Sequence, residues 1–118
     1  MVEQYSSGDL DAVFKALADP TRRDMVQRLA SEALSVSELA APLDMSLAAA
    51  SKHIQVLERA GLVRRTVQGR THTCRLDAAP LHAGMEWLRH YERFWTERLD
   101  ALERLVRAAP SSPQRRKP

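Results

Sequence analysis

A mainly helical fold carrying one small β-hairpin is what this sequence predicts, in the order helix, helix, short helix, helix, hairpin, long helix (ααααββα). Three observations carry that reading. Apolar residues recur at spacings of three and four through most of the chain, the period of an amphipathic helix. Two runs rich in Val and Thr, residues 62–67 and 71–76, flank Gln68-Gly69-Arg70. Pro20, Pro42, Gly61 and Gly69 fall at the joints between the periodic segments.

Residues 1–8 are polar and read as a flexible arm. Asp9 is placed to cap a first helix whose apolar positions are Leu10, Val13, Phe14 and Leu17. That helix must end before Asp19-Pro20, because a residue preceding proline is pushed out of the α region. Pro20 suits the first turn of a second helix, where its missing N–H costs nothing, and Met25, Val26 and Leu29 give that helix an inner face. Ser35 or Ser37 caps a short third helix holding Val36, Leu39 and Ala40, which Pro42 interrupts. Ser46 starts the clearest helix, with Ala50, Ile54 and Leu57 turned inward and Gly61 at the C-terminal glycine position. The hairpin turns at Gln68-Gly69-Arg70. Pro80 opens one long helix to about residue 108, with an apolar stripe of Leu81, Met85, Leu88, Trp95, Leu99, Leu102 and Val106. Tyr91 or Glu92 stands in the gap between Leu88 and Trp95, and the spacing is heptad-like. Residues 109–118 are rich in Pro, Ser and basic side chains and read as a disordered tail. The expected domain is thus 9–108.

The 118 residues are 44% hydrophobic and 28% charged, which suits one folded domain and leaves no room for a second full-sized core. No apolar run approaches the roughly 18–20 residues of a membrane span. The N-terminal stretch lacks the basic and apolar regions of a secretory signal. A cytoplasmic protein with no membrane partner is therefore expected. The single cysteine, Cys74, forms no intramolecular disulfide and no thiolate metal cluster by itself. The sequence holds no G-x-S-x-G, H-E-x-x-H or P-loop, so an enzyme is not expected, nor any cofactor. The net charge of +3 is small, but it is unevenly placed. Residues 1–34 carry four basic and six acidic side chains, residues 35–76 carry six and three, and residues 77–118 carry eight and six. The middle of the chain is the positive region.

That middle region has the order of a helix-turn-helix: a short helix, a turn through Pro42-Leu43-Asp44-Met45, and a longer helix capped by Ser46. With the hairpin beside it, the plan is a winged helix-turn-helix. The major groove of DNA is about 12 Å wide and admits one helix, N-terminal end first. Ser46, Leu47, Ala48, Ala49, Ser51, Lys52 and Gln55 lie near that end on the outer face. Small residues allow close approach, and Ser and Gln can hydrogen-bond base edges. Leu47 and the alanines suit a thymine methyl, and Lys52 suits a phosphate. Taken alone, the helix reads equally well as a core helix with an ordinary polar face. The hairpin shifts the balance, because Arg64, Arg65, Arg70 and Arg75 decorate it. Arg64 and Arg75 could simply solubilise an edge strand, whereas Arg70 at the tip is the best candidate for DNA. Arg22 and Arg23 sit at a helix start, where a cation opposes the helix dipole. A phosphate contact, or pairing with Asp19 or Asp24, would explain them.

The sequence resembles the ArsR-type (ArsR/SmtB) winged-helix transcriptional repressors. The matching stretches are ALADPTRRDMVQRL at 16–29, SVSELAAPLDMSLAAASKHIQVLERAGLV at 35–63 and GRTHTCRL at 69–76. The resemblance implies a homodimer that binds an inverted repeat of double-stranded DNA at its own promoter and responds to a signal. It implies DNA contact through the helix beginning at Ser46 and the wing, and dimerisation through the first and last helices. That agrees with an independent argument: the terminal helices offer more apolar surface than so small a domain can hide. Leu10, Phe14, Leu88, Tyr91, Trp95, Leu99 and Leu102 are the expected interface residues. Metal-sensing members carry a Cys-x-Cys site where this chain has SVSELAAP, so the resemblance is to a branch without it.

Other residues have plainer explanations. His82, Glu86, His90 and Glu97 could hold a cation on the last helix and make a metal-responsive repressor, but a solvated face gives the same pattern. No metal site is expected. His53, beside Ile54, reads as a packing histidine and Cys74 as a buried thiol. Trp87, Phe94 and Trp95 read as dimer core in preference to an effector pocket. A small-molecule or protein effector stays open, and so does a winged helix that binds a partner protein instead of DNA.

Overall fold

In the computed structural model, which describes residues 7–109, Asp19 and Pro20 break the chain between two helices as the sequence demands. Helix α1 is Ser7–Leu17 and α2 is Pro20–Ser31. Asp19 is extended (φ −102°, ψ 132°), and its carboxylate accepts the backbone N–H of Arg22 at 3.0 Å. Helix α1 begins two residues before Asp9, within the expected arm; the rest of that arm, and residues 110–118 of the tail, lie outside the described residues.

Strand β1, Leu34–Ser35, precedes helix α3, Val36–Ala40. Of the two candidate serines, Ser35 is the cap. Its hydroxyl accepts the Glu38 N–H at 3.0 Å, and the Glu38 carboxylate accepts the Ser35 N–H at 2.8 Å, a reciprocal capping box. Helix α4, Leu47–Arg59, starts at Ser46, whose hydroxyl accepts the Ala49 N–H at 3.1 Å. It ends as a Schellman motif: Gly61 takes φ +78°, Gly61 N–H donates to the Glu58 carbonyl, and Leu62 N–H donates to the Leu57 carbonyl, each at 2.9 Å. Only glycine adopts that φ without strain.

Strands β2 (Val63–Gln68) and β3 (Thr71–Leu76) pair antiparallel, with Val63 opposite Leu76 and Gln68 opposite Thr71. Gly69 and Arg70 make the two-residue turn. Gly69 alone has positive φ, +62°, the pattern of a type II′ turn. The sequence missed β1. It pairs with β3, Leu34 opposite Cys74, so the wing is a three-stranded sheet in the order β1-β3-β2. Two residues are too few for a periodic signal, and only the partner strand reveals them.

Helices α5, Ala79–Arg89, and α6, Glu92–Ala108, replace the single long helix expected over residues 80–108. The break falls in the one gap of the apolar stripe. His90 and Tyr91 N–H groups bond the carbonyls of Trp87 and Leu88, three residues back, and Tyr91 leaves helical geometry (φ −104°, ψ 1°). Trp, His and Tyr are middling helix formers, so no local propensity opposes the tightened turn.

The chain forms two compact units, one up to Glu86 and one from Trp87 on. The core of the first is Val13, Met25, Leu39, Ile54, Leu57, Leu62 and Cys74, all essentially inaccessible to solvent. It gathers α1 to α4, with α2 and α3 against β3, α4 against β2, and α1 on α2 and α4. Phe14 of α1 approaches Gly84 of α5, where an added Cβ would stand 3.6 Å from the ring. The second unit is built on α6, whose Phe94, Trp95, Leu99, Leu102, Leu105 and Val106 are all exposed. Arg98 lies 4.7 Å over the Phe94 ring, and Arg93–Glu97 and Arg107–Glu103 pair along the polar face.

Candidate nucleic-acid interface

Helix α4 presents the candidate surface. Ala50, Ile54 and Leu57 anchor it in the core, which turns Leu47, Ala48, Lys52 and Gln55 outward. Ser46 is exposed, and Ala49 and Ser51 are half-buried. Leu47 is 57% exposed in the first turn, an apolar side chain held in water. Its neighbour across a groove of about 330 Å³ is the wing, and the groove is lined by Ser51 of α4, Arg70, Thr71 and His72 of the hairpin, and Ser37 of α3. The structure therefore brings Leu47, Ser51 and Arg70 to one groove. It adds Ser37, Thr71 and His72, none of which the sequence reading assigned to DNA. Polar residues flanking a hairpin tip gave the only available hint.

The four arginines of the wing divide into two kinds. Arg65 forks onto Glu58 of α4, with Nε–Oε2 at 3.1 Å and Nη2–Oε1 at 2.8 Å, and its Nη1 lies 3.3 Å from His72 Nδ1. The Glu58 hydrogen bond raises the Arg65 pKa above its ordinary value, against the opposing effect of burial. Arg64 Nε donates to Asp77 at 2.9 Å. Asp77 also accepts the Ala79 N–H at 3.0 Å, and that bond, followed by Arg64, holds its carboxyl below the ordinary carboxylate range. Arg64 and Arg65 are thus occupied internally. Arg70 and Arg75 are exposed, and their side chains take part in no hydrogen bond or ion pair among the described residues.

Arg22 lies elsewhere. Its Nε donates to the Ala16 carbonyl at 2.7 Å and its Nη2 to the Lys15 carbonyl at 3.3 Å. Its Nη1 lies 3.1 Å from His53 Nδ1. A guanidinium only donates, so that nitrogen of His53 accepts. The pairing considered for Arg22 with Asp19 runs through the backbone N–H. That bond holds the Asp19 carboxyl below the ordinary carboxylate range; burial opposes it, and the nearby Arg22 charge adds to it. Arg23 similarly donates to the Leu17 carbonyl at 2.8 Å. Both arginines close the C-terminal end of α1, where orphan carbonyls and the helix dipole favour cations. His53 is a linking residue between α2 and α4.

Cys74 is fully buried, and burial, with a smaller contribution from the Glu58 charge, pushes its thiol up while Arg65 pulls it down in part. Of the last-helix candidates, His82 Nε2 and Glu86 Oε2 approach to 3.8 Å, while His90 Nδ1 lies 3.1 Å from the Trp87 carbonyl, beyond the end of α5. Among the described residues no three His, Cys, Asp or Glu side chains are gathered to hold a metal ion. Nor is any described helix long and apolar enough to cross a membrane.

Comparison with known proteins agrees with this geometry. A helix-turn-helix domain family matches residues 17–66. The HTH-type transcriptional regulator Rv2034 of Mycobacterium tuberculosis is 41% identical over 96 residues, covering 81% of this chain and 87% of that protein. The crystal structure of an ArsR family transcriptional regulator is 42% identical, covers 77% of this chain and 94% of that one, and superposes with a TM-score of 0.73. An ArsR-like transcriptional regulator from Rhodococcus sp. RHA1 is 31% identical, covers 86% of this chain and 96% of its own, and gives a TM-score of 0.65. The exposed helix, its wing and these relatives together place the chain in the ArsR family of winged helix-turn-helix, DNA-binding transcriptional regulators.

Proposed function

We propose that the protein is a homodimeric repressor that binds an inverted-repeat operator through α4 and the wing. The observation that carries this reading is the division of the cations. Lys52 and Arg70 are exposed and unpaired among the described residues on the α4 and wing surfaces, while Arg64 and Arg65 are occupied by Asp77 and Glu58. Lys52 and Arg70 are assigned to phosphates. Ser46, Leu47, Ala48, Ala49, Ser51 and Gln55 are assigned to the groove floor and base edges. The phosphate contact considered for Arg22 is set aside, because its guanidinium already serves α1 and His53.

The homodimer is supported by the exposed apolar face of α6, with Trp95, Leu99 and Leu102 each more than half exposed. A helix that is amphipathic and unpartnered buries that face against something. Leu10, Phe14, Leu88 and Tyr91 are assigned to the same interface. A two-fold dimer would set the two α4 helices about 34–36 Å apart, one turn of DNA. Work on DNA would place the protein in the cytoplasm.

The test is fluorescence anisotropy against the DNA upstream of its own gene, with a scrambled fragment as control, at two salt concentrations. Salt-dependent preference for the native fragment supports the reading. Equal affinity for both fragments would overturn specific recognition.

A further inference from the structure

A second concavity lies away from the wing. It is a cleft of about 370 Å³ between α1, α2 and the C-terminal half of α4, large enough for a small ligand. Its floor is apolar: Ala12 and Ala16 from α1, Val56 and Ala60 from α4 and its cap. Its charged lining is entirely basic, Lys15, Arg22 and Arg59. No carboxylate among the described residues lines it. Lys15 and Arg59 take part in no side-chain hydrogen bond or ion pair among the described residues, and both are exposed.

The three cations must be set against the two helix ends that meet there. Lys15 and Arg59 stand in the last turns of α1 and α4. Each helix terminus offers the equivalent of about half a negative charge. Together they offset roughly one of three positive charges, and the Asp19 carboxylate beside Arg22 offsets another, so a surplus of about one remains beside an apolar floor. Lys15 and Arg59, exposed cations of one cleft with no carboxylate partner among the described residues, favour an anion in the space between them.

We propose that this cleft binds a small organic anion, a carboxylate or phosphate head on an apolar body. The head sits between Lys15 and Arg59. The body lies on Ala16, Val56 and Ala60. Arg22 is held by the α1 carbonyls and by His53, so it supplies a fixed positive wall. Helical periodicity of about 100° per residue turns Ala12 and Lys15 away from Leu10 and Phe14. The cleft therefore stays open when α1 docks through Leu10 and Phe14.

The ligand would touch α4 directly through Val56 and Arg59, and α1 and α2 through Lys15 and Arg22. It would act on the helix assigned above to DNA, and this regulatory half rests on that assignment. The binding half does not.

The experiment is NMR titration of the ¹⁵N-labelled full chain with 1-naphthoate, with neutral 1-naphthamide and inorganic phosphate as controls. Saturable shifts centred on Ala12, Ala16, Val56 and Ala60 are expected with naphthoate, and at least about tenfold weaker binding with either control, the factor a lost charge contact or a lost apolar contact commands. The double variant Lys15→Gln, Arg59→Gln should bind naphthoate at least about tenfold more weakly with an unchanged fold. Val56→Phe, which fills the floor, should lose binding while keeping the cations. No cleft shifts up to about 10 mM, above the range of weak small-ligand affinity, would overturn the proposal. So would equal binding of naphthamide or of phosphate. If the double variant loses DNA affinity but keeps naphthoate affinity, the cations serve DNA and the proposal falls. If naphthoate binds the cleft while no DNA binds anywhere, the cleft stands and the DNA assignment of α4 falls.

Discussion

The Arg65 guanidinium grips the Glu58 carboxylate in a two-bond fork, 2.8 and 3.1 Å, and so fixes the wing to the C-terminal half of α4. The pair is partly shielded, with Arg65 19% and Glu58 29% exposed. A planar guanidinium on a carboxylate is directional, so the fork sets an angle as well as a distance. Groove helix and hairpin are thereby presented to a ligand as one surface.

Replacing Arg65 by Lys should keep the charge and lose the fork. Urea unfolding should show a loss of about 1–2 kcal/mol, the range for a charge-assisted bond that is partly exposed. DNA affinity should fall with little change in the salt slope, because no phosphate contact is removed. An unchanged midpoint would mean the fork contributes nothing to stability.

Lys52→Ala should act in the opposite way. Affinity should fall by similar factors on native and scrambled DNA. The slope of log K against log salt should flatten by about one unit. A change confined to sequence preference would reassign Lys52 to base reading.

Acid should loosen the α1–α2 junction and the start of α5. Asp19 and Asp77 are held below their ordinary carboxylate values by backbone N–H groups. A depressed carboxyl contributes stability that is present above about pH 4 and lost as pH falls through its folded value. Asp19→Asn should therefore flatten the stability profile below about pH 4, and Asp19→Ala should cost about 1 kcal/mol at neutral pH. Identical acid profiles for wild type and Asp19→Asn would refute the role.

Leu99→Arg should be read by light scattering. If α6 is the dimer seam, a charge there leaves a monomer and weakens operator binding by at least about tenfold through lost bivalency. An unchanged mass would move the interface elsewhere.

Cys74 should resist alkylation in the native protein at pH 8 and react only on unfolding. Its thiol is buried and its pKa pushed up, so little thiolate forms. Rapid native labelling would contradict that.

The helical elements of the first unit were legible because caps and apolar spacing agree there. Asp19-Pro20, Ser46 and Gly61 are each a local signal with one geometric solution, and each stands where the structure uses it. Three features were not legible. Strand β1 depends on a partner forty residues away. The break at His90 and Tyr91 competes with an otherwise continuous stripe. The sorting of the arginines depends on which carboxylate each one meets, and Arg65–Glu58 and Arg64–Asp77 are tertiary facts. The sequence could place the positive region but not say which charges in it were free.

The short helix α3, whose capping box closes its first turn, is held at its other end by Arg28 of α2. Helix α3 has five residues, too few to stand in water, and its last carbonyls at Glu38 and Leu39 accept Arg28 Nη2 and Nη1 at 2.8 and 2.9 Å. Its first turn is closed by Ser35, which is tied to β3 through β1. The helix-turn-helix is therefore not a portable cassette. Cut out as a peptide over residues 35–60, or grafted onto a scaffold lacking α2 and β3, it would keep the sequence of the motif and lose its first helix.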